Sequence, residues 1–537
     1  MKPIRPFVAV LLLVALLAAC AKRETPVEAG LRTQTLLVGN GDEPATLDPQ
    51  VATSGNEFPV LAALFEGLTV LDGDNWQPRP GVAERWETTP DGLVWAFHLR
   101  PNARWSNGEP VTADDFACAF QRLLSPELAT STAELLWGVI GAREYTQRAL
   151  GDFARVGVRA LDDRTLRMEL THPNPQLPAI LAHPSCFPVH RATLAKLGAM
   201  LDRASPWARP GELVSNGPFT LAEWRPNTSI TVRKNTHYHG AAQVHLREIR
   251  FFPVDSQEAE ERNFRAGQLH LTFGVPIPRI PHHRASPAAR LRVDPLLQVR
   301  LLEFNLRRPP FDNPKIRRAL ALTIDRQAIA TTIFAATRTP ASHYVPPDCG
   351  GYVSTARQTT DVATARRLLA EAGYPGGAGF PQFALLVGNN LEQPRVAELI
   401  QETWRRTLGI AVTIASMETK TKLQNVAQRT FDIAFVGVTP DYVDPRSFLA
   451  FYTTGHGYND PGWSNSAFDG LLAAADQTAD KGRRFALLQQ AEGILLEESP
   501  IAPVYFEPIV YLAHPAVKGF RFSPMGLPCF QRVQLDP

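Results

Sequence analysis

GVAERWETTPDGLVWAFHLRPNARWSNGEPVTADDFACAFQRLL, residues 81–124, is the stretch that decides the fold class. Within it GLVWAFHLR (92–100) alternates apolar and polar residues with the period of a half-buried strand. SNGEP (106–110) is a turn. TADDFACAFQRLL (112–124) is a helix with Thr112 at its N-cap and two acids, Asp114 and Asp115, in its first turn, where the backbone N–H groups and the helix dipole favour negative charge. Strands and helices go on alternating to the end of the chain, punctuated by 46 prolines. That order predicts an α/β protein of intertwined domains.

Upstream of this stretch, Lys2 and Arg5 precede FVAVLLLVALLAA (7–19), an apolar run too short to span a bilayer comfortably and flanked like a secretory signal. It leads through Leu17, Ala18 and Ala19 to Cys20. The order Leu, small, small, Cys resembles the lipobox of bacterial lipoproteins, which implies cleavage before Cys20 and a lipid on its thiol; the other reading is an ordinary secretory signal followed by an incidental cysteine. AKRETPVEAGLRT (21–33), polar and without hydrophobic period, is expected to be a tether to an exported, membrane-anchored body. Removing residues 1–19 takes away two basic side chains and no acid, leaving 53 basic against 53 acidic. A neutral, mixed surface gives no case for nucleic-acid binding. A 44% hydrophobic composition over 537 residues supplies ample core for two or more domains. Cys118, Cys186, Cys349 and Cys529 are far apart with no Cys-x-x-Cys, so one or two disulfides and buried free thiols both stay open.

Motifs for catalysis are missing: there is no His-Glu-x-x-His, Gly-x-Ser-x-Gly or Gly-x-x-x-x-Gly-Lys-Ser/Thr. His237 and His239 of HYH, and His282 with His283, are the nearest things to metal ligands, and His237 and His239 lack a spaced third ligand nearby. GYPGGAG (373–379) follows the helical DVATARRLLAEAG (361–373) and reads as a helix C-cap and turn rather than a phosphate cradle. No enzyme activity, cofactor or metal is expected. FDIAFVGV (431–438) reads as a buried strand emptying at Pro440 into TPDYVDPRSF (439–448), with two acids, Asp441 and Asp444, at its mouth.

From about residue 36 to 535 the chain resembles the oligopeptide- and dipeptide-binding class of solute-binding proteins that feed ABC transporters. The segments that carry the likeness are LDP (47–49), LFEGL (64–68), DGLVWAFHLRPNARWSNGEPVTADDF (91–116), SNGPFTLAEW (215–224), RKNTHYHG (233–240), FNLRRPPFDNPKIRRALALTIDR (304–326), LLAEAGYP (368–375) and TFDIAFVGVTPDYVDPRSFL (430–449). The resemblance implies a large two-lobed, type II-like periplasmic-binding-protein fold with a small inserted domain and a two-crossover hinge. Lobe I would comprise 36–60, 189–297 and 508–537, the inserted domain 61–188 and lobe II 298–507. Ligand touching both lobes would stabilise the closed form, which a permease then recognises.

The resemblance also implies a site. Asp441 falls on the aspartate that pairs with a peptide's α-ammonium group in this family; without that context it reads first as a cap of the following turn or helix. Residues Thr53, Gly55, Asn56 and Glu57, and Val436, Gly437, Val438 and Thr439, fall on the segments that pair with peptide backbone. Phe273 matches an aromatic lining position, or is a core phenylalanine. Asp444 is expected to be structural. The positions that engage the peptide's carboxyl end in the family are here Phe435, Val426 and Gln393. A pocket tryptophan is replaced by Thr419, and a cysteine pair by Gln298 and Thr439. Arg395 and Lys420 are candidates for a replacement cation, and the ligand is expected to have a free amine with a different length or a different tail. The leading reading is a lipid-anchored, monomeric peptide receptor partnering an ABC permease. A receptor for a non-peptide solute such as a metal chelate, sugar or opine, and a non-transport surface lipoprotein acting as sensor or chaperone-like partner, are the alternatives.

Overall fold

A computed structural model describes residues 24–72, 76–130, 132–198, 200–286, 290–478 and 480–536. Cys20 and the apolar leader lie outside the described residues. The tether expected over 21–33 is corrected in its second half: Pro26–Thr33 is a helix capped by Thr25, with Val27 buried and its N–H bonded to the Gly267 carbonyl. The first turn of the decisive stretch forms as its residue types dictate: helix Ala113–Leu124 starts in a reciprocal capping box between Thr112 and Asp115. Asp115 also accepts from the indole Nε1 of Trp105 at 3.1 Å, which fixes the preceding turn onto the helix. Strand Val94–Leu99 alternates half-buried and buried residues as its sequence pattern requires. It lies second in a four-stranded antiparallel sheet with Ala83–Thr88 on one side and Thr165–Glu169, then Val158–Asp162, on the other.

A second four-stranded sheet carries Thr35–Gly39 parallel to Glu248–Phe252, followed by the antiparallel Ser229–Lys234 and Phe219–Arg225. One continuous apolar core joins the two sheets, running from Leu36, Val38 and Ile249 through Phe65 and Leu68 to Phe97, Phe116 and Phe120. The 61–188 segment therefore shares a core with this second sheet. A buried charge pins this junction. Arg122, 0% exposed, donates to both carboxylate oxygens of Asp48 (3.1 and 2.6 Å), to Gln50 Oε1 and to the Met200 carbonyl, and lies over the Trp207 ring. A guanidinium out of water is tolerable only when its donors are satisfied in this way.

The second body is built on a six-stranded sheet in the order Thr339–Pro340, Ile501–Leu512, Leu291–Phe304, Ile433–Val438, Ala384–Gly388, Thr413–Met417. Leu302, Phe304, Ile433 and Phe435 enter the core on one face, and Val299, Leu301 and Phe506 that on the other. Its two long strands also leave it. Leu291–Phe304 and Ile501–Leu512 pair antiparallel from Glu303↔Ile501 back to Leu291↔Leu512, where Leu512 packs with Phe264 and Leu269 of the first body and Ala513 bridges to Leu271. The ladder is interrupted twice on the way, between Pro295↔Pro508 and Val299↔Phe506 and between Arg300↔Tyr505 and Leu301↔Pro503. The four cysteines are free thiols; Cys118, Cys186 and Cys349 are buried. The histidines of HYH serve the scaffold, His239 meeting the buried Glu66 carboxylate and His237 the Ser106 carbonyl, and His283 likewise meets the buried Glu261.

Candidate functional site

Strand Ile433–Val438 is where the sequence places a binding edge. On one side it pairs along its whole length with Leu291–Phe304, from Phe304↔Ile433 to Val299↔Val438. On the other side it meets the parallel strand Ala384–Gly388 only through Leu385↔Ile433 and Leu386↔Ala434. Val436–Val438 therefore have no strand neighbour on that side among the described residues, and Gly437 and Thr439 are exposed. An open edge of this kind can accept an added strand through backbone hydrogen bonds.

Pro440 ends the strand and delivers Asp441. Its N–H donates to Ser447 Oγ at 2.9 Å, but its carboxylate has neither hydrogen bond nor ion pair among the described residues. Burial, and then the nearby Glu134 carboxylate, push Asp441 up to about 6. Glu134 lies in the 61–188 segment of the first body and is itself raised by burial, with no side-chain partner among the described residues. Tyr442, next in the loop, packs against the first body's core. Two carboxylates from different bodies, unpaired among the described residues, thus lie near enough to repel, a costly arrangement that a cation would relieve. Asp444 is built differently. It is 1% exposed, caps helix Pro445–Ala450 by accepting from the Arg446 N–H, and takes a two-pronged donation from Arg484, both at 2.8 Å. Both of its carboxylate oxygens are thus committed to the scaffold.

The loop holding Thr53, Gly55, Asn56 and Glu57 is organised by Glu57. Its carboxylate, 2% exposed in the fold, accepts from the N–H groups of Thr46 (3.2 Å), Thr53 (2.7 Å) and Ser54 (2.8 Å). Its own N–H goes to the Ser54 carbonyl and its carbonyl receives Leu61 N–H. The expectation that Glu57 pairs with ligand backbone is therefore corrected: its backbone groups are committed to the turn and the following helix. Asn56 is engaged in part, its backbone carbonyl accepting from Asn40 Nδ2 and its side-chain Nδ2 donating to the Asp42 carbonyl. Thr53 and Gly55 remain exposed. Phe273 stands beside Gly41 and Gly55 at 38% exposure, so it is not a core residue. Replacing Glu57 by alanine strands three N–H donors, and we expect faster hydrogen exchange at Thr46, Thr53 and Ser54, by at least about tenfold, with ~1–3 kcal/mol of stability lost.

The other end of the strand holds a surprise for sequence reasoning. Phe435 is buried in the sheet core, Val426 is buried, and Gln393 accepts from Gly388 N–H. Arg395 and Lys420 both face solvent. The cation that reaches this place is Lys422, one helical turn before Val426 and 5% exposed. Its ammonium donates to Gln393 Oε1 at 3.0 Å and to the Phe435 carbonyl. Thr419, at the start of the same helix, is exposed. Gln298 and Thr439, separated by 141 residues, are brought together, Gln298 Nε2 donating to Thr439 Oγ1 at 2.7 Å.

Residues 77–460 match the model of the bacterial extracellular solute-binding proteins, family 5 Middle. The chain is 35% identical over 500 residues to the probable deoxycholate-binding periplasmic protein of Escherichia coli (strain K12), covering 91% of this chain and 90% of that one. It is 33% identical over 527 residues to the periplasmic oligopeptide-binding protein of the same organism, covering 96% and 95%. Among solved structures, the Escherichia coli murein tripeptide binding protein superposes with a TM-score of 0.78 at 29% identity, over 93% of this chain and 98% of that one.

Proposed function

This chain belongs to the family 5 bacterial extracellular solute-binding proteins, which are transport binding proteins and not enzymes, and from that premise we propose that it captures oligopeptides with a free amine for an ABC importer. The observation that carries the reading is Asp441: a half-buried carboxylate without a partner, next to a strand edge that is open from Val436 to Val438. The ligand's α-ammonium pairs with Asp441 and is also attracted by Glu134, while its backbone adds to the open edge. Because Asp441 and Glu134 belong to different bodies, a cation between them holds the bodies together, and the interruption between Pro295 and Val299 serves as the hinge. Backbone pairing reads polarity and not side chains, so many sequences are accepted. We further propose that Cys20 carries a lipid that tethers a monomeric receptor at the extracytoplasmic face of a membrane, where it delivers its ligand to the permease; no helix among the described residues is long and apolar enough to cross a bilayer.

The direct test is calorimetric titration with tetra-alanine and its N-acetyl form. Tight binding of the free amine with at least about 100-fold weaker binding of the acetylated form is expected, since the latter leaves a desolvated carboxylate unpaired. Equal affinities would remove Asp441 from the recognition.

The site also sets a pH dependence. Ligand-free Asp441 titrates at about 6, raised from its ordinary value, so protons compete with the ammonium below that pH. Affinity should be flat above pH 7 and fall by about tenfold at pH 5, approaching one decade per pH unit. Dissociation constants measured from pH 7.5 to 4.5 check this; a flat profile contradicts it.

A further inference from the structure

A buried ammonium is expensive, and Lys422 spends it at the end of the open strand edge opposite to Asp441. Its helix, Thr419–Ala427, lays the side chain across the point where Ala384–Gly388 stops pairing, so the Nζ caps the Phe435 carbonyl just as the edge becomes free. Gln393 Oε1 takes a second N–H. An ammonium has three donors, and the third has no partner among the described residues. Burial, then Arg300, lower Lys422 to about 8, opposed by Glu303.

Its surroundings add positive charge. Arg300 is the cross-strand partner of Gly437, and its guanidinium lies over that residue so closely that a Cβ at Gly437 would fall 2.5 Å from Nη1. Glycine at 437 is thus what admits Arg300 to this face of the edge. Arg300 does not own a counter-ion: Glu507 serves both Arg300, at 3.3 Å, and Arg338. Two other acids lie near. Glu392 has no hydrogen bond or ion pair from its carboxylate among the described residues and is raised by burial, while Glu303, fully buried, is pushed up to about 8 and holds Tyr452. Three cationic side chains, Lys422, Arg300 and Arg338, therefore have one carboxylate that pairs with them, Glu507, and two, Glu392 and Glu303, whose charge burial disfavours, at the end of a strand edge whose opposite end carries unpaired carboxylates. An anion is the missing component.

Resting on the peptide reading above, we infer that Lys422, with Arg300 beside it, receives the ligand's terminal carboxylate and so sets both its polarity and its length. Phe435 and Asp441 are six residues apart, which at ~3.3 Å per residue limits the charge separation to ~20 Å and the extended ligand to about six residues. The turn at Pro440 shortens this further.

Tetra-alanine, its C-terminal amide and deca-alanine bearing a single lysine for solubility are the probes, titrated against the whole protein and against Lys422→Met and Lys422→Arg. The parent should prefer the free carboxylate over the amide by at least about tenfold and bind the long peptide least. Lys422→Met should lose that preference while keeping its discrimination against N-acetyl tetra-alanine, and Lys422→Arg should retain much of it. If the parent binds acid and amide equally, or Lys422→Met keeps the preference, the inference falls and the peptide reading stands. If no peptide binds the parent, the peptide reading falls and takes the inference with it. Should Lys422→Met fail to fold, the parent's acid-to-amide ratio still decides.

Discussion

Asp441→Asn is expected to weaken binding of tetra-alanine by 100-fold or more while making the empty protein more stable. Both effects come from one fact: the carboxylate is desolvated and faces Glu134 with no cation beside it. Pairing with an ammonium in such a place is worth several kcal/mol, and truncating one partner of a buried charge pair costs about 2–5 kcal/mol. Without ligand the same charge is a burden. Its folded value of about 6 lies above the ordinary carboxylate value of 3.8, so the ionised form disfavours folding. The cost is fully present above pH 6, shrinks as pH falls and vanishes below the unfolded value, where both states are protonated. At about 1.4 kcal/mol per unit, and allowing for partial exposure, the asparagine should add ~1–3 kcal/mol at pH 7.5 and nothing near pH 3.5. Denaturant titrations of the ligand-free proteins at the two pH values, with calorimetry for affinity, measure it. Unchanged affinity together with unchanged stability would show that the carboxylate is solvated and idle.

Three residues further on, the opposite outcome is expected. Asp444→Ala should cost about 3–5 kcal/mol of stability, because Arg484, 5% exposed, loses the carboxylate that takes two of its N–H groups. Loss of the helix cap on Pro445–Ala450 adds roughly 1 kcal/mol. Protein that does fold should bind tetra-alanine normally, since Asp444 offers nothing to the cleft. Replacing Asp444 and Arg484 together by leucine should recover much of the loss, as no orphan charge then remains. Guanidinium denaturation of the three proteins tests this. A single alanine variant as stable as its parent would show that the pair is not desolvated.

Much of this architecture was legible from local chemistry. Thr112 and Asp115 are three residues apart, so their capping box could be read directly, and the apolar run ending at Pro440 announced strand Ile433–Val438. The family likeness supplied what no local pattern holds, including the attention given to Asp441 and the pairing of Gln298 with Thr439 across 141 residues. What stayed hidden depends on distant neighbours. Nothing in TKTKLQNVA distinguishes Lys422 from Lys420; only the packing of that helix over residues 393 and 435 buries one and exposes the other. One clue was available, since Lys422 stands a single turn from Val426 and shares its helix face. Glu134 could not be found from sequence at all, because its importance lies in facing a loop about three hundred residues away on the other body. Glu57 was misplaced because a carboxylate that gathers three loop N–H groups looks, in sequence, like any other acid before a helix.

The central claim is that the cleft is made for a peptide held by its amine at Asp441. Denaturing extraction of the purified protein, followed by mass spectrometry of the released small molecules, addresses it without presuming a ligand. Peptides of up to about six residues with free amino ends, absent from an extract of Asp441→Asn, are the expected result. A bile-acid-like anion, a sugar or a metal chelate recovered in stoichiometric amount, with no amine-bearing peptide, would contradict it.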